Sequence, residues 1–424
     1  MNTSAHFRNV LVFDGTSDSL SNPSDVVVSD GLVTRIGPAG GHAPEHDSTV
    51  IDGDGRVLMP GMIDCHVHLM FGMLPLNELL TADPTYVGIA AATSAEQMLM
   101  RGFTSIRDCG GPAFGLKKAI DRGLVAGPRI WPSGAFISQT SGHGDFRSVA
   151  EVTPGTCSHP STTEMLGGAV IADGVPEVLR GVRQQLMKGA TQIKVMAGGG
   201  VNSSYDPLDV AEYSEDEIRA AVSAADDWGT YVLVHAFTPK AVQRAIRAGV
   251  KCIDHGHLLD EETVALMVEN DVWWSLQPFL DDEFSNKIAD PVKRAKQIAM
   301  TQGTDTAYEL AKKHGAKLAW GTDALFDPAL AKAQGAQLAK MTRWFTAAET
   351  LRMATSTNAQ LLALSGERNP YPGSLGVVAE GAIADLLLVD GDPLTDISLI
   401  ARPDESLSVI MKGGVIHKST VTTS

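Results

Sequence analysis

Short apolar runs alternate with longer helical stretches from about residue 61 to residue 364. This alternation predicts an α/β fold in which parallel strands are joined by crossover helices. The predicted strands cover residues 62–68, 103–108, 129–133, 191–196, 230–235, 250–255, 272–276 and 317–322. Eight strand and helix units predict a (β/α)₈ TIM-like barrel, whose working residues lie at the C-terminal ends of its strands.

Both ends of the chain have a different pattern. Short alternating strands are predicted at residues 9–15, 25–36 and 50–57, with turns at Asp-Gly and Gly-Asp pairs, and again at 376–389 and 407–417. We therefore expect residues 1–60 and 365–424 to pair into a small accessory β-sandwich domain, with residues 61–364 as the catalytic barrel.

Helix starts are visible inside the barrel region. Ser214 and Glu217 form a capping box that predicts a helix to Trp228. Thr238 and the following proline predict the start of the next helix, which we expect to end near residue 249. The longest stretch without a clear element is 134–173, and its length predicts a functional or mobile lid.

Composition excludes some partners. Lysine and arginine number 34 against 50 acidic residues, a net charge of −16 that repels nucleic acid and anionic membranes. The four cysteines, Cys65, Cys109, Cys157 and Cys252, have no C-x-x-C spacing, which is typical of reduced, buried thiols. The start of the sequence shows no signal peptide, although a removed signal would look the same, and the apolar region 69–92 is broken by prolines and acids. A cytoplasmic location is the expectation.

Six polar residues stand at or close to the C-terminal ends of predicted strands and indicate a two-metal hydrolytic centre. They are His66, His68, Lys194, His235, His255 and Asp323. His66 and His68 lie two apart, so a strand places both imidazoles on one face, where one ion can bind both. The alternative is a pair of hydrogen-bonded core histidines.

Lys194 lies inside a predicted apolar strand, where a charged ammonium pays a heavy desolvation penalty. Burial favours the neutral amine, which can add carbon dioxide and become a carbamate whose oxygens bridge two metal ions. The alternative is a lysine that is paired with a buried acid.

His235 and His255 end neighbouring strands and could hold a second ion, although either alone could be a packing residue. His257 shares the face of His255 and could compete with it as the ligand, but we expect it to support the ligands from behind. Asp323 ends the eighth strand, beside the first, where it could bind the first ion and act as general base. A lone aspartate in Gly-Thr-Asp is otherwise a turn residue. Two ions would acidify a shared water and stabilise the oxyanion of an amide under attack.

These motifs resemble the metal-dependent amidohydrolase superfamily over nearly the whole chain. The motifs are PGMIDCHVH at 60–68, Lys194 followed by AGGGV at 197–201, VHA at 234–236, DHG at 254–256, GTD at 321–323 and GAIADL at 381–386. The resemblance implies His66, His68 and Asp323 on one metal, His235 and His255 on the other, and carbamylated Lys194 between them. It also implies two divalent ions, zinc first among them, and a homo-oligomer.

The branch is narrowed by GPR at 127–129, SG at 133–134 and GHGD at 142–145, which resemble prolidase-like and carboxypeptidase-like dipeptidases, including bacterial ochratoxin hydrolases. The resemblance implies a small amide or dipeptide substrate that loses a C-terminal amino acid. The candidates for binding its carboxylate are His143, Arg147 and Tyr205. Phe279, Leu325 and Phe326 could line an apolar pocket, or simply pack beneath loops.

Other functions are less consistent with the residues. Deaminases of this superfamily typically lack the strand-four lysine and carry a glutamate shortly after the strand-five histidine, whereas this chain has Lys194 and reads HAFT from His235. Imidazolonepropionases usually lack the lysine too, while dihydropyrimidinase-like hydrolases of cyclic amides keep it and remain the alternative. A non-enzymatic scaffold would have lost metal ligands, and none of the six is missing.

Overall fold

The computed structural model describes residues 4–41, 48–150, 160–285 and 287–421. The strands are β1 (Ala5–Val12), β2 (Ser24–Ser29), β3 (Leu32–Pro38), β4 (Thr49–Asp52), β5 (Val57–Pro60), β6 (Met62–Val67), β7 (Phe103–Asp108), β8 (Arg129–Pro132), β9 (Phe136–Ser138), β10 (Ala169–Ile171), β11 (Ile193–Met196), β12 (Val232–Ala236), β13 (Cys252–His255), β14 (Trp273–Leu276), β15 (Leu318–Trp320), β16 (Leu386–Val389), β17 (Leu407–Lys412) and β18 (Val415–Ser419).

The helices lie mainly between the strands of the barrel. They are α1 (Leu76–Leu79), α2 (Pro84–Met100), α3 (Phe114–Asp121), α4 (Thr162–Met165), α5 (Val175–Lys188), α6 (Glu215–Asp226), α7 (Pro239–Arg247), α8 (Glu261–Glu269), α9 (Pro291–Gln302), α10 (Thr304–His314), α11 (Pro328–Lys332), α12 (Gln334–Ala339), α13 (Ala347–Arg352), α14 (Asn358–Leu362), α15 (Ser398–Ala401) and α16 (Pro403–Ser406). Within the described ranges there are also two 3₁₀ helices, Lys340–Arg343 and Ala363–Arg368, and a π-helical segment, Met353–Thr357.

The predicted barrel is confirmed. Strands β6, β7 and β8 form one parallel ladder, and β9 to β15 form a second parallel ladder in the order β10-β9-β11-β12-β13-β14-β15. The last strand closes on the first because the Asp323 N–H donates to the His66 carbonyl oxygen at 2.8 Å. The C-terminal ends of these strands therefore meet at one rim, as the positions of the polar residues required.

The third predicted strand is interrupted. Its first part, β8, pairs with β7, while β9 begins four residues later and pairs with β10 and β11. Gly134 separates the two parts with a φ of +73°, and a Cβ there would lie 2.7 Å from the ring of Phe114. The chain thus bends between β8 and β9 at Gly134, where the positive φ and the nearby ring both favour a residue without a side chain.

The strands at the two chain ends pair with one another, as predicted. They form one mixed sheet in the order β18-β17-β16-β5-β1-β2-β3, with β4 also beside β1. Strand β1 pairs with β2 and β4 over most of its length and with β5 at its C-terminal end, so it links the two parts of the sheet. Phe7, Val26, Leu58 and Leu388 are fully buried in the hydrophobic core of this domain. The domain boundaries at residues 60 and 365 stay a prediction.

Several local predictions can be compared directly. Helix α6 begins with the predicted capping box and ends at Asp226, two residues before the predicted end. Thr238 stands at the N-terminal cap of α7, but its side chain makes no capping hydrogen bond there. The stretch 134–173 is not free of structure, since it contains β9, α4 and β10; residues 151–159 lie outside the described residues, so the lid stays a prediction.

The cysteines agree with the sequence analysis where the structure describes them. Cys65, Cys109 and Cys252 are buried and reduced, and Cys157 lies outside the described residues. Within the described ranges, the helices include none that combines the length and the apolar character needed to cross a membrane.

Arg107 is fully buried inside the barrel and is held by polar partners. Its guanidinium donates to the Cys65 carbonyl oxygen at 2.6 Å and to Asp254 Oδ1 at 2.7 Å. Its Nη1 lies 3.3 Å from the hydroxyl of Tyr231 and from the sulfur of Cys252. A buried cation is stable only when it is paired and hydrogen-bonded in this way.

Arg107→Met should lower the free energy of unfolding by about 1–3 kcal/mol for each buried acceptor that loses its donor. Urea unfolding followed by circular dichroism measures this loss. The control is Arg180→Met, which removes an exposed arginine from α5 and should change stability little. An unchanged unfolding midpoint for the Arg107 variant would contradict the role given to this network.

Candidate metal centre

Four histidine rings meet at the C-terminal rim of the barrel. His66 lies near the end of β6, His68 directly after it, His235 in β12 and His255 at the end of β13. Ring centroids are 5.3 Å apart for His66 and His68, 5.0 Å for His66 and His255, and 4.5 Å for His235 and His255. The structure thus brings together the four histidines that the sequence singled out.

In each of three rings, one nitrogen contacts an oxygen of the surrounding protein, and the other nitrogen is available to a metal ion. The Nδ1 of His68 lies 3.1 Å from the Gly110 carbonyl oxygen, and the Nε2 of His235 lies 3.3 Å from the Gly199 carbonyl oxygen. The Nδ1 of His255 lies 2.7 Å from Gln277 Oε1. Hydrogen bonds of this kind fix the ring orientation of metal-binding histidines.

The protonation of these histidines follows from burial. Burial lowers the pKa values of His66, His235 and His255 well below the ordinary range, and the positive charge of Lys194 lowers them further. Burial also lowers the pKa of His68, but the hydrogen bond and charge of Asp323 outweigh it and raise the value. Three neutral imidazoles are in the state that a metal ion requires.

Asp323 faces the first two histidines. Its Oδ1 lies 3.4 Å from His66 Nε2 and 3.3 Å from His68 Nε2. The residue has a φ of +49°, which an aspartate adopts more readily than most residues, and its N–H is held by the His66 carbonyl oxygen. The backbone thus turns the carboxylate back toward the first strand.

These side chains have the chemistry of a site for a divalent ion. The Nε2 of His66 is buried and has no hydrogen-bond partner among the residues described. Ligand atoms of His66, His255 and Asp323 all lie within 4.8 Å of one another. Imidazole nitrogens and a carboxylate oxygen suit zinc and similar ions. This group joins His255 to His66 and Asp323, although the family resemblance assigned them to different ions.

Lys194 is fully buried in β11 and is paired with an acid. Its Nζ lies 2.5 Å from Asp254 Oδ2, while Asp254 Oδ1 accepts from Arg107. Burial would raise the pKa of Asp254, but the charges of Lys194 and Arg107 hold it below its usual value. The unmodified lysine therefore forms the buried ion pair that the sequence analysis considered as the alternative to a carbamate.

Sequence reasoning missed two residues that contact this group. Asp254 lies beside the predicted ligand His255, and its Oδ2 is 3.5 Å from His66 Nδ1. Gln277 directly follows β14, and its Nε2 is 3.4 Å from the same nitrogen. Both were visible as polar residues at the end of an apolar strand. His257, by contrast, supports the loop after β14 because its Nε2 bonds the Gln277 carbonyl oxygen at 2.9 Å.

A largely apolar cavity opens above the histidines. Its walls come from several barrel loops, and the apolar residues include Phe71, Phe136, Phe146, Phe237, Phe279, Phe284, Leu325 and Phe326. Phe279, Leu325 and Phe326 therefore line a pocket, as predicted. The four histidines, Lys194 and Asp323 also line the cavity, so a substrate bound there would contact both apolar side chains and the groups of the candidate metal centre.

The three predicted substrate-binding residues lie in different surroundings. His143 lines the cavity, and its ring stacks on His235 with centroids 4.0 Å apart. Arg147 binds its neighbour Asp145 with two nitrogens, at 2.7 and 2.5 Å. The hydroxyl of Tyr205 donates to the Arg147 carbonyl oxygen. In the part of the chain that is described, neither Arg147 nor Tyr205 lines the cavity, so His143 is the best placed of the three.

A buried carboxyl group holds the loop that carries His143. Both oxygens of Glu212 accept from the His143 backbone N–H, at 2.8 and 3.0 Å. Burial, with the nearby charge of Asp206, raises the pKa of Glu212 from 4.5 to about 9. Glu212 is therefore protonated at neutral pH in the folded protein.

Glu212→Gln should weaken the pH dependence of stability. The folded protein keeps the Glu212 proton up to about pH 9, whereas the unfolded chain loses it near pH 4.5. Stability therefore falls as pH rises across this window, and glutamine removes that contribution. Urea unfolding at several pH values would measure it, with the exposed Glu262→Gln as control. A slope that matches the parent protein would contradict the protonated state.

Comparisons with known proteins agree over nearly the full length. A model of the amidohydrolase family matches residues 57–416. An ochratoxinase of Aspergillus niger is 32% identical over 419 residues, covering 96% of this chain and 85% of that protein. A crystal structure of a prolidase with N-methylphosphonate-L-proline has a TM-score of 0.89 and 35% identity, covering 99% of this chain and 100% of that chain. A Xaa-Pro dipeptidase with bound methionine has a TM-score of 0.84 and 27% identity, covering 98% and 100%.

Proposed function

The chain belongs to the amidohydrolase family and is a hydrolase of amide bonds, and from this premise we propose that it releases the C-terminal amino acid of N-acyl amino acids or dipeptides. Ochratoxin A, which would give ochratoxin α and phenylalanine, is included among the proposed substrates. The observation that carries the proposal is that the buried histidines and Asp323 line one largely apolar cavity.

We propose that His66, His68, Lys194, His235, His255 and Asp323 hold two divalent ions, zinc in the first instance. When bound, such ions supply Lewis acidity toward the amide carbonyl and lower the pKa of water. The buried Nε2 of His66, which makes no hydrogen bond to the described residues, and the neutral state of three of the rings support this assignment.

The proposed modification of Lys194 is a carbamate. The ammonium of Lys194 would first lose one proton to solvent, and the neutral amine would then form a bond from Nζ to the carbon of carbon dioxide and release a second proton to solvent. This exchange breaks the ion pair with Asp254, but that carboxylate keeps its second cation, Arg107, at 2.7 Å. The presence of Arg107 means that Asp254 need not be left as an unpaired buried charge when Lys194 changes.

Asp323 is the proposed general base and general acid. Its carboxylate lies at the rim beside His66 and His68, and its side chain is 16% exposed, so water can reach it. It would accept a proton from the attacking water and donate that proton to the leaving nitrogen. The apolar side chains that line the cavity would exclude bulk water and so strengthen the electrostatic interactions of these groups.

A linear substrate is favoured by the names of the relatives, and an apolar acyl group by the cavity. The relatives named above are an ochratoxinase, a prolidase and a Xaa-Pro dipeptidase. The phenylalanines around the cavity suit an aromatic or otherwise apolar acyl group. Hydrolysis of cyclic amides is the alternative, and the same assay separates it.

The test is release of amino acid from a panel of N-acyl amino acids, dipeptides that include Xaa-Pro, ochratoxin A and cyclic amides. We expect cleavage of linear amides that carry a terminal carboxylate, with bulky apolar acyl groups preferred. Asp323→Asn, purified in parallel, measures the background of contaminating hydrolases. Activity restricted to cyclic amides would disprove the proposal.

Metal content is the second test. Protein purified with zinc and bicarbonate should contain about two ions per chain, as a binuclear site requires. Removing the ions with a chelator should abolish activity, and adding zinc should restore it. A chain that binds no metal under these conditions would contradict the proposed binuclear centre.

A further inference from the structure

The loop between β11 and α6 has a tip, residues 200–206, without regular secondary structure. At the base of this loop, the Gly199 N–H donates to the Val210 carbonyl oxygen at 3.2 Å. The Glu212 N–H likewise donates to the Ala197 carbonyl oxygen at 2.8 Å. In the described part of the chain, no residue of the tip makes a hydrogen bond from backbone to backbone. Its carbonyl groups therefore depend on side chains for their partners.

Lys296 of α9 supplies most of these partners. Its Nζ donates to three carbonyl oxygens of the tip, at 3.2, 3.3 and 2.6 Å, which belong to Gly200, Ser203 and Asp206. A lysine ammonium has three N–H donors, and these three oxygens can use them all. The side chain is partly buried, where hydrogen bonds from a charged donor are stronger than in water. Because Gly200 and Asp206 are the two ends of the tip, one ammonium holds both ends together.

The tip has further side-chain contacts. The Nζ of Lys293, one turn earlier on α9, donates to the Asn202 carbonyl oxygen at 2.7 Å. Ser203 Oγ and Asp206 Oδ2 lie 2.7 and 3.3 Å from the Nδ1 of His143. The contacts to His143 join the tip to a second loop, whereas the two lysines join it to a helix of 12 residues. Helix α9 is therefore the regular element on which the tip is held.

The tip and α9 form adjoining parts of the cavity wall. Val201 and Asn202 line the cavity from the tip, and Gln297 and Met300 line it from α9. Lys296 precedes Gln297 and binds the carbonyl groups on either side of Val201 and Asn202. It thus fixes one part of the wall against the other. A wall that is already in place spares the substrate the cost of ordering it.

We propose that Lys296 is a positioning residue that holds the tip in its substrate-binding conformation. This inference rests on the proposed amide hydrolysis and concerns binding of the substrate, not cleavage of the bond. The proposed metal ligands lie outside the tip, and the base of the loop keeps its backbone hydrogen bonds when Lys296 is replaced. Loss of the lysine should therefore raise KM and leave kcat and metal content nearly unchanged.

Lys296→Met tests this role, because methionine keeps a long apolar side chain and has no N–H to donate. We expect KM for N-benzoyl-phenylalanine to rise about tenfold, as for a tip that is in the binding conformation about one tenth of the time. Lys287→Met replaces an exposed lysine shortly before α9, and this control should change neither KM nor kcat. A KM equal to that of the parent protein, or a loss confined to kcat, would overturn the inference.

Chemical rescue separates hydrogen bonding from packing. Lys296→Ala removes a propyl chain and its ammonium group, so n-propylammonium has the shape and the donors of the missing part. We expect KM of this variant to rise as in Lys296→Met, and added n-propylammonium to lower it again. Tetramethylammonium has the same charge but no N–H, and should have no effect. Equal effects of the two ions, or no effect of either, would contradict the role given to the three hydrogen bonds.

Limited proteolysis tests the position of the tip without any turnover. Chymotrypsin cleaves after aromatic residues such as Tyr205, and cleavage requires the chain to leave its folded position. Cleavage at Tyr205, identified by mass spectrometry, should be faster in Lys296→Met than in the parent protein or in Lys287→Met. An unchanged rate would show that the tip is held without the lysine and would overturn the inference. If the parent protein cleaves no amide, the proposed function fails, while proteolysis still decides whether Lys296 holds the tip.

Discussion

Asp323→Asn should lower kcat by about 10²–10⁴-fold, the range for loss of a general acid and base, while most of the bound metal remains. The amide oxygen of asparagine can still face His66 and His68 from the same backbone position, because the turn is fixed by the hydrogen bond to the His66 carbonyl oxygen. The side chain can no longer take a proton from water. The variant therefore loses the proton transfer and keeps the metal-binding site.

Steady-state kinetics together with elemental analysis of the purified variant would measure both properties. The KM of the variant should stay close to that of the parent protein, because the apolar residues that line the cavity are unchanged. Asp327→Asn, on the same loop but at the N-terminal cap of α11, is the control for general damage to this segment. Activity within a few-fold of the parent would show that another group moves the proton.

The barrel could be predicted from the sequence because each strand carries its own signal. The apolar runs are local, and the parallel order follows once helices separate them. Convergence of His66, His235 and His255 then required no further information, since ends of adjacent parallel strands meet at one rim. The interruption of the third strand was not predictable from composition, because it depends on which neighbour each half pairs with.

The parts of the site that were missed depend on contacts between distant segments. Lys194 and Asp254 are 60 residues apart, and nothing near either residue shows that they pair. Asp206 and His143 are 63 residues apart and belong to two loops, whose relative position is set by Glu212 and Gly200. Loops lack the regular pattern of apolar residues from which the strands were predicted. For Arg147 the missed contact was local. It was predicted to bind the substrate carboxylate, but it binds Asp145, which is only two residues away in the sequence.

The buried charges in the barrel determine whether the variant Lys194→Ala can fold. In the unmodified chain, two cations, Lys194 and Arg107, share one carboxylate, Asp254. Removing Lys194 leaves a complete pair between Arg107 and Asp254, with one positive and one negative charge. Lys194→Ala should therefore fold, because it leaves no unpaired buried carboxylate, and loss of function in this variant would not reflect loss of the fold.

Lys194→Ala should lose most bound metal and nearly all activity if the lysine bridges the ions as a carbamate. The control is Lys188→Ala, an exposed lysine at the end of α5. A short carboxylic acid such as propionate, added with zinc, should restore part of the metal and the activity to Lys194→Ala, since its two oxygens replace those of the carbamate in the space that alanine leaves. A lysine that acts only as the ion-pair partner of Asp254 predicts the opposite: added carboxylate would bring a second negative charge beside Asp254 and would restore nothing.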